Sequence, residues 1–129
     1  MANPTITEII PGATQTGTSI AIPKAALATI ANQFQSEILK ITPDDNFVGF
    51  EPSSDNNAEE IYSALLMAAC LYFTQARKDS DTSGDIQSVY EYSRFSVSTD
   101  IDGNISGQFD FSCTLYTPFN LPALDPALF

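Results

Sequence analysis

The spacing of apolar side chains predicts two helices in the first part of the chain. Apolar residues recur every three or four positions from residue 24 to about residue 40, and again from residue 58 to residue 78. The second segment is apolar around most of its circumference, so we expect it to be a central, buried helix. Asn57 and Glu60 have the spacing of a capping box at its start.

Beyond residue 85 the apolar period changes from 3.6 to 2, which predicts two long strands. Segment 100–104 has the composition of a tight turn, so the strands should form an antiparallel hairpin. The second strand has one apolar face, formed by Ile105, Phe109, Phe111, Cys113 and Leu115. A hairpin is marginally stable alone, so we expect the central helix to cover this face. The predicted fold class is therefore α+β, with a hairpin-based antiparallel sheet packed on one central helix.

Shorter segments flank these elements. Residues 20–22 and 47–50 are short apolar runs followed by proline, and each predicts a short strand. Residues 1–19 are rich in threonine, glycine and proline, which predicts an extended N-terminal arm before a single domain over residues 20–116. The prolines of residues 117–129 exclude a helix or a central strand. We expect this C-terminal arm to bind a partner through its apolar side chains, Phe119, Leu121, Leu124, Leu128 and Phe129. The alternative is that the arm packs on its own domain, because small domains often need extra burial.

Charge and composition exclude several classes of function. Five basic residues against 16 acidic ones give a net charge of −11, which argues against binding to nucleic acids or anionic membranes. Histidine is absent, so the commonest general base and metal ligand is missing. The six glycines do not have the spacing of a phosphate-binding loop, and we expect no cofactor. Two isolated cysteines predict buried thiols in a reducing cytoplasm, and the first residues do not resemble a secretory signal.

Two acidic loops have part of the spacing of a calcium-binding loop. Their candidate ligands are Asp79, Asp81 and Asp85 in the first loop, and Asp100, Asp102 and Asn104 in the second. Tyr90 occupies the position of the bidentate glutamate in the first loop, and Ile105 occupies that of the turn glycine in the second. Asp, Asn, Gly and Ser are also ordinary turn residues, so we expect no metal site.

The first strand of the hairpin contains a second candidate site for a partner. Alternation places Tyr90, Tyr92 and Arg94 on one face, the more polar one. Tyrosine and arginine are enriched at protein-binding hot spots, so these three residues are candidate contacts to a partner. The alternative is cross-strand packing with Asp110 and Ser112.

In outline the chain resembles the accessory structural proteins of tailed bacteriophages. The resemblance rests on the arm at residues 1–19, the hairpin at 90–116 and the docking-like tail at 118–129. Capsid cement (decoration) proteins and small tail-completion proteins are the most similar types. The resemblance implies a homo-oligomer or lattice-bound protein whose arms clasp shell or tail subunits, without an enzymatic activity.

We therefore expect a virion protein made in the host cytoplasm, most simply a capsid cement protein. The alternative is a tail, baseplate or fibre-connecting component, which would bind through the same kind of contacts but to a different partner. A calcium-dependent binding module or an acidic-cluster hydrolase is the alternative from another class, because 16 acidic residues offer many carboxylate pairs.

Overall fold

The computed structural model describes residues 4–41, 49–81, 88–116 and 126–128. Its helices and two small antiparallel sheets confirm the predicted α+β class. None of the helices in these ranges is long and apolar enough to cross a lipid bilayer.

The chain divides into two compact units between Tyr72 and Phe73. We call residues 2–72 the N-terminal unit and residues 73–129 the C-terminal unit. The division falls inside the stretch 20–116 for which the sequence predicts one domain.

The N-terminal unit is mainly helical. Its elements are α1 (Ile6–Ile9), β1 (Thr14–Gln15), β2 (Ile20–Ala21), α2 (Lys24–Glu37) and α3 (Ala58–Tyr72). The strand β2 and the helix α2 confirm the predictions for residues 20–22 and 24–40. The predicted strand at 47–50 lies partly outside the described residues, and the described part, Gly49 and Phe50, is not in a strand.

The core of this unit lies where α2 packs against α3. Helical spacing brings apolar side chains of both helices to one seam, and the fully buried members are Leu27, Ile30, Ala64 and Ala68. Phe50 packs against this cluster as a partly buried side chain. Leu27 is 2% exposed, so its side chain contributes almost all of its apolar area to the core.

The segment predicted as an N-terminal arm contributes to the same core. Ile10 is 2% exposed and Ala13 is fully buried, and both belong to the cluster formed by α2 and α3. Gly12, with φ at +90°, makes the turn between them, in a conformation that a residue with a Cβ rarely adopts. The composition of this segment predicts an extended arm. In the structure its proline and glycine instead form a turn, and the turn brings apolar side chains back to the core.

The start of α3 is close to the predicted capping box. The Asn57 carbonyl oxygen Oδ1 accepts a hydrogen bond from the Glu60 N–H at 2.9 Å, as expected for an N-cap. The Glu60 carboxylate, however, accepts from the side chain of Asn56 at 2.8 Å. The cap is thus formed by two neighbouring asparagines.

The sequence predicts one continuous helix over residues 58–78, and this is wrong in one respect, because the structure has two helices in this range. α3 ends at Tyr72, and α4 (Gln75–Ser80) begins after Thr74. Thr74 has an extended backbone, and its hydroxyl accepts a hydrogen bond from the Arg77 N–H at 3.1 Å. A side-chain cap of this kind begins a new helix, which breaks the continuous helix that the apolar pattern suggested.

The C-terminal unit contains the predicted hairpin. Strand β3 (Ser88–Thr99) pairs antiparallel with β4 (Ile105–Leu115), and a short 3-10 helix (Pro126–Leu128) lies near the end of the chain. The turn between the strands closes through a hydrogen bond from the Asp100 N–H to the Asn104 carbonyl at 2.9 Å. Gly103, with φ at +84°, supplies the left-handed residue of this turn.

The substitution Leu27→Ala tests the core of the N-terminal unit. We expect it to lower the free energy of unfolding by about 2–5 kcal/mol, because it leaves a cavity between α2 and α3. Urea denaturation followed by circular dichroism measures the change. Asn32→Ala, at an exposed position of the same helix, is the control and should shift stability by less than about 0.5 kcal/mol. A loss below about 1 kcal/mol for Leu27→Ala would contradict the packing described here.

Candidate protein-binding site

The hairpin is anchored to α4 at its open end. The Tyr90 N–H donates a 2.8 Å hydrogen bond to the carbonyl oxygen of Phe73, in the interruption between α3 and α4. The Phe73 and Tyr90 rings pack with their centroids 5.8 Å apart. Directly after the other strand, the Lys78 ammonium lies 4.2 Å from the centroid of the Tyr116 ring, which is a cation–π contact. Both strands are therefore held at the base of the hairpin.

One extra residue in β3 decides which side chains share a face. Tyr92 is opposite Phe111 and Arg94 is opposite Asp110, so Ser93 has no register partner on β4. This β-bulge shifts the alternation by one position. Before the bulge the even-numbered residues of β3 share a face with Phe111, and after it the odd-numbered residues do.

With this register, the aromatic residues of both strands lie on one side, together with Val97 and Ile105. We call this surface the aromatic face, and define it by Tyr92, Phe95, Val97, Ile105, Phe109 and Phe111. The Phe95 and Phe109 rings lie 4.9 Å apart, and Tyr92 lies 5.6 Å from Phe111 and 6.2 Å from Phe109, between ring centroids. Such tilted pairs stabilise the hairpin beyond the area they bury.

Gly107 leaves room for the Phe95 ring beside β4. A Cβ atom at Gly107 would stand 2.7 Å from the Phe95 Cε2 atom, closer than side chains approach each other. The ring therefore occupies space that a side chain at residue 107 would need. Phe95 is fixed by this contact and by Phe109, so the aromatic face is preorganised.

The aromatic face is exposed, and its exposure increases towards the turn. Phe109 is 48% exposed, Phe95 51%, Val97 66% and Ile105 74%. The sequence predicts that the apolar face of the hairpin is covered, but these four side chains lie largely in solvent. An exposed apolar face of this kind is typical of a surface that binds another molecule.

The opposite face of the hairpin is polar. The Arg94 guanidinium donates to the Asp110 carboxylate at 2.8 Å, and the Gln108 amide donates to the other oxygen of that carboxylate at 2.8 Å. These hydrogen bonds, that from Arg94 first, lower the pKa of Asp110, and the same ion pair raises the pKa of Arg94. Nearer the turn, the hydroxyls of Ser98 and Ser106 are hydrogen-bonded at 3.1 Å.

The prediction that Tyr90, Tyr92 and Arg94 share a polar face is wrong, because the bulge separates them. Tyr90 and Tyr92 lie on the side of the aromatic residues, and Arg94 lies on the opposite side with Asp110. The aromatic residues of the sequence already indicate this change. Tyr90 and Tyr92 occupy even positions and Phe95 occupies an odd one, which indicates one inserted residue between Tyr92 and Phe95.

The predicted contacts in the C-terminal arm are not brought together with this site. Leu128 belongs to the 3-10 helix, and the other four, Phe119, Leu121, Leu124 and Phe129, lie outside the described residues. Their role in binding a partner stays a prediction.

The carboxylate of Asp100 organises the turn at the far end of the hairpin. It accepts hydrogen bonds from the backbone N–H groups of Asn104 and Asp102, both at 2.9 Å, and from the Asn104 amide at 3.1 Å. These contacts, those from Asn104 first, lower the pKa of Asp100. The Asp100 carboxylate of this acidic loop thus closes the turn through hydrogen bonds within the loop.

Within the described residues, no group of three or more His, Cys, Asp or Glu side chains is arranged to hold a metal ion. Of the candidate ligands in the first loop, Asp79 accepts a 2.9 Å hydrogen bond from Gln75, and Asp85 lies outside the described residues. The sequence predicts two buried thiols, and the structure shows Cys70 buried but Cys113 exposed.

Two of the concave surfaces formed by the described residues lie on the N-terminal unit. One, of about 680 Å³, is lined by acidic residues including Glu51, Asp55 and Glu59, all of them exposed. The other, of about 580 Å³, lies beside α1 and α2 and is more apolar. Among the described residues no charged or polar residue is classed as buried.

Comparisons with known proteins give no family for this chain: no family model, no curated protein and no solved structure matches it.

Removal of Ser93 tests the bulge. Because Ser93 has no partner on β4, its deletion should leave every side chain on its present face and cost less than about 1 kcal/mol. Deletion of Ser96, which is paired with Gln108, should move the neighbouring apolar side chains to the wrong face and cost at least about 2 kcal/mol. Chemical denaturation of the two variants makes the comparison, and equal losses would contradict the register.

Acid titration tests the Asp100 turn. Since the pKa of Asp100 is lower in the folded protein than in the unfolded chain, its stabilising effect is complete above the ordinary aspartate pKa. That effect is lost as the pH falls through the lower, folded pKa. We expect Asp100→Asn to lower the Tm at neutral pH, with a difference from wild type that shrinks on acidification. Asp102→Asn is the control in the same turn, and an identical pH profile for both variants would refute the role of Asp100.

Proposed function

We propose that this protein is a structural assembly protein, not an enzyme, and that it binds another protein subunit through the aromatic face. The observation that carries the proposal is the exposure of this face, in which Phe95, Phe109, Val97 and Ile105 lie about half or more in solvent. A contiguous apolar patch of this kind on a protein surface is often a functional site. Preorganised aromatic residues are typical anchors of a protein interface.

The distribution of charge supports the same function. The aromatic face contains no charged residue, although the chain as a whole carries a net charge of −11. A partner can cover the face without burying an unpaired charge, which would be costly. The charge elsewhere keeps the free chain dissolved before assembly.

The alternatives from another class have less support. A hydrolase needs a desolvated acid–base pair, and the acidic residues that line the larger concave surface are exposed. A calcium-dependent module needs oxygen ligands that converge, and the Asp100 carboxylate is engaged in the hydrogen bonds of its own turn.

The assembly that we propose is a virion, with the protein as a capsid cement component made in the host cytoplasm. This step rests on the resemblance to accessory proteins of tailed bacteriophages, in which a small acidic protein clasps neighbouring subunits. A tail, baseplate or fibre-connecting component is the alternative, with the same kind of contact and a different partner. In either case the C-terminal arm, residues 117–129, is the second proposed contact.

Quantitative mass spectrometry of purified virus particles tests this function. If the protein is a cement component, its copy number should stay in a fixed ratio to the major shell protein from one preparation to the next. A tail component would instead be present at about a dozen copies or fewer, set by the symmetry of the tail. Absence of the protein from intact particles, with abundant protein in the infected-cell lysate, would refute a virion role.

A further inference from the structure

We propose that the aromatic face binds the same face of a second copy of this chain, so that the unit of assembly is a symmetric dimer. This inference rests on the proposed function and adds the identity of the molecule that covers the face. The geometry points to a two-fold arrangement, in which the surface of one copy is complementary to the identical surface of the other.

Chemical composition makes the face complementary to itself. All six of its residues are aromatic or aliphatic, and the charged residues of the hairpin centre, Arg94 and Asp110, lie on the opposite side. Two copies can therefore meet without bringing like charges together in the contact. A basic partner would instead be attracted to the acidic surfaces of the chain and not to this uncharged face.

The available area fits a small dimer. A fully exposed aromatic side chain has about 150–250 Å² of surface, so the half-exposed residues of one face together offer on the order of 500 Å². Two faces would bury about 1,000 Å², which is at the low end for a specific interface. The expected dimer is therefore reversible, with a dissociation constant of about 1–100 µM.

The dimer would also supply the layer that the hairpin lacks. A two-stranded sheet is marginal unless a second layer packs on its apolar side. Two hairpins packed face to face, about 10 Å apart, would form a four-stranded sandwich. Phe95 and Phe109 lie near its centre, and Val97 and Ile105 lie towards the turn.

Net charge gives this dimer a characteristic salt dependence. Two chains that each carry −11 repel each other at long range, and salt screens that repulsion. Association through an uncharged face should therefore tighten as salt increases, whereas binding to a basic partner should weaken.

Sedimentation equilibrium of the full chain is the test, with Val97→Lys as the variant and Gln108→Lys as its matched control. Both substitutions add one positive charge to an exposed position of the hairpin, but Val97 is on the aromatic face and Gln108 is on the opposite one. We expect a wild-type dimer that tightens several-fold between about 20 mM and about 500 mM salt. Val97→Lys should weaken it at least about tenfold, and Gln108→Lys less than about twofold. Unchanged circular dichroism and Tm show that each variant is folded.

Other outcomes overturn the inference in distinguishable ways. A wild-type chain that stays monomeric at about 200 µM excludes the second copy. If removal of residues 117–129 then produces a dimer, the C-terminal arm of the same chain is the occupant. A dimer that is insensitive to Val97→Lys shows that another surface forms it. If the chain is monomeric but enters virus particles, and Val97→Lys abolishes this, then the dimer is refuted and the proposed function is not. If the chain is a dimer but is absent from virus particles, then only the proposed function is refuted.

Discussion

The whole candidate site depends on the alternation of side chains along a strand and on the single residue that shifts it. If Ser93 were paired as an ordinary strand residue, Tyr92 and Phe95 would lie on opposite sides of the hairpin, and each side would be a mixture of aromatic and charged groups. Because the bulge leaves Ser93 without a register partner, the residues of the aromatic face lie on one side and the Arg94–Asp110 pair lies on the other. The bulge thus keeps the hairpin two-sided despite the extra residue, with a candidate binding surface and a polar surface.

The interruption between α3 and α4, at Phe73 and Thr74, provides the contacts that hold the open end of the hairpin. A continuous helix would use the Phe73 carbonyl for its own hydrogen bonds, and the carbonyl would not reach Tyr90. Because Thr74 caps a new helix, the carbonyl is available to the first strand, and the Phe73 ring packs on Tyr90. The hairpin is consequently held at its open end and presents its aromatic residues further along, towards the turn.

Elements that depend on local pattern were predictable from the sequence, and long-range relationships were not. The helix α2, the hairpin and its turn follow from periodicity and turn chemistry. The sequence places Ile10 and Ala13 in an extended arm, whereas they lie in the core. Glycine and proline indicate that the chain turns there, but they do not indicate which surface the following residues pack against. The helix break at Thr74 was concealed by apolar residues that continue the helical spacing on both sides. The bulge is visible in the sequence as a change from even to odd numbers in the positions of the aromatic residues of β3. Exposure of the aromatic face is not visible there, because it depends on which surfaces other parts of the chain cover.

The division at Phe73 also sets an order of events during synthesis. The N-terminal unit precedes the hairpin along the chain, so it can begin to fold on the ribosome while the hairpin is still being translated. At about 5–20 residues per second, the hairpin emerges several seconds later. The exposed aromatic face therefore becomes available only after the N-terminal unit has been made, which shortens the time in which a nascent chain could bind the wrong neighbour.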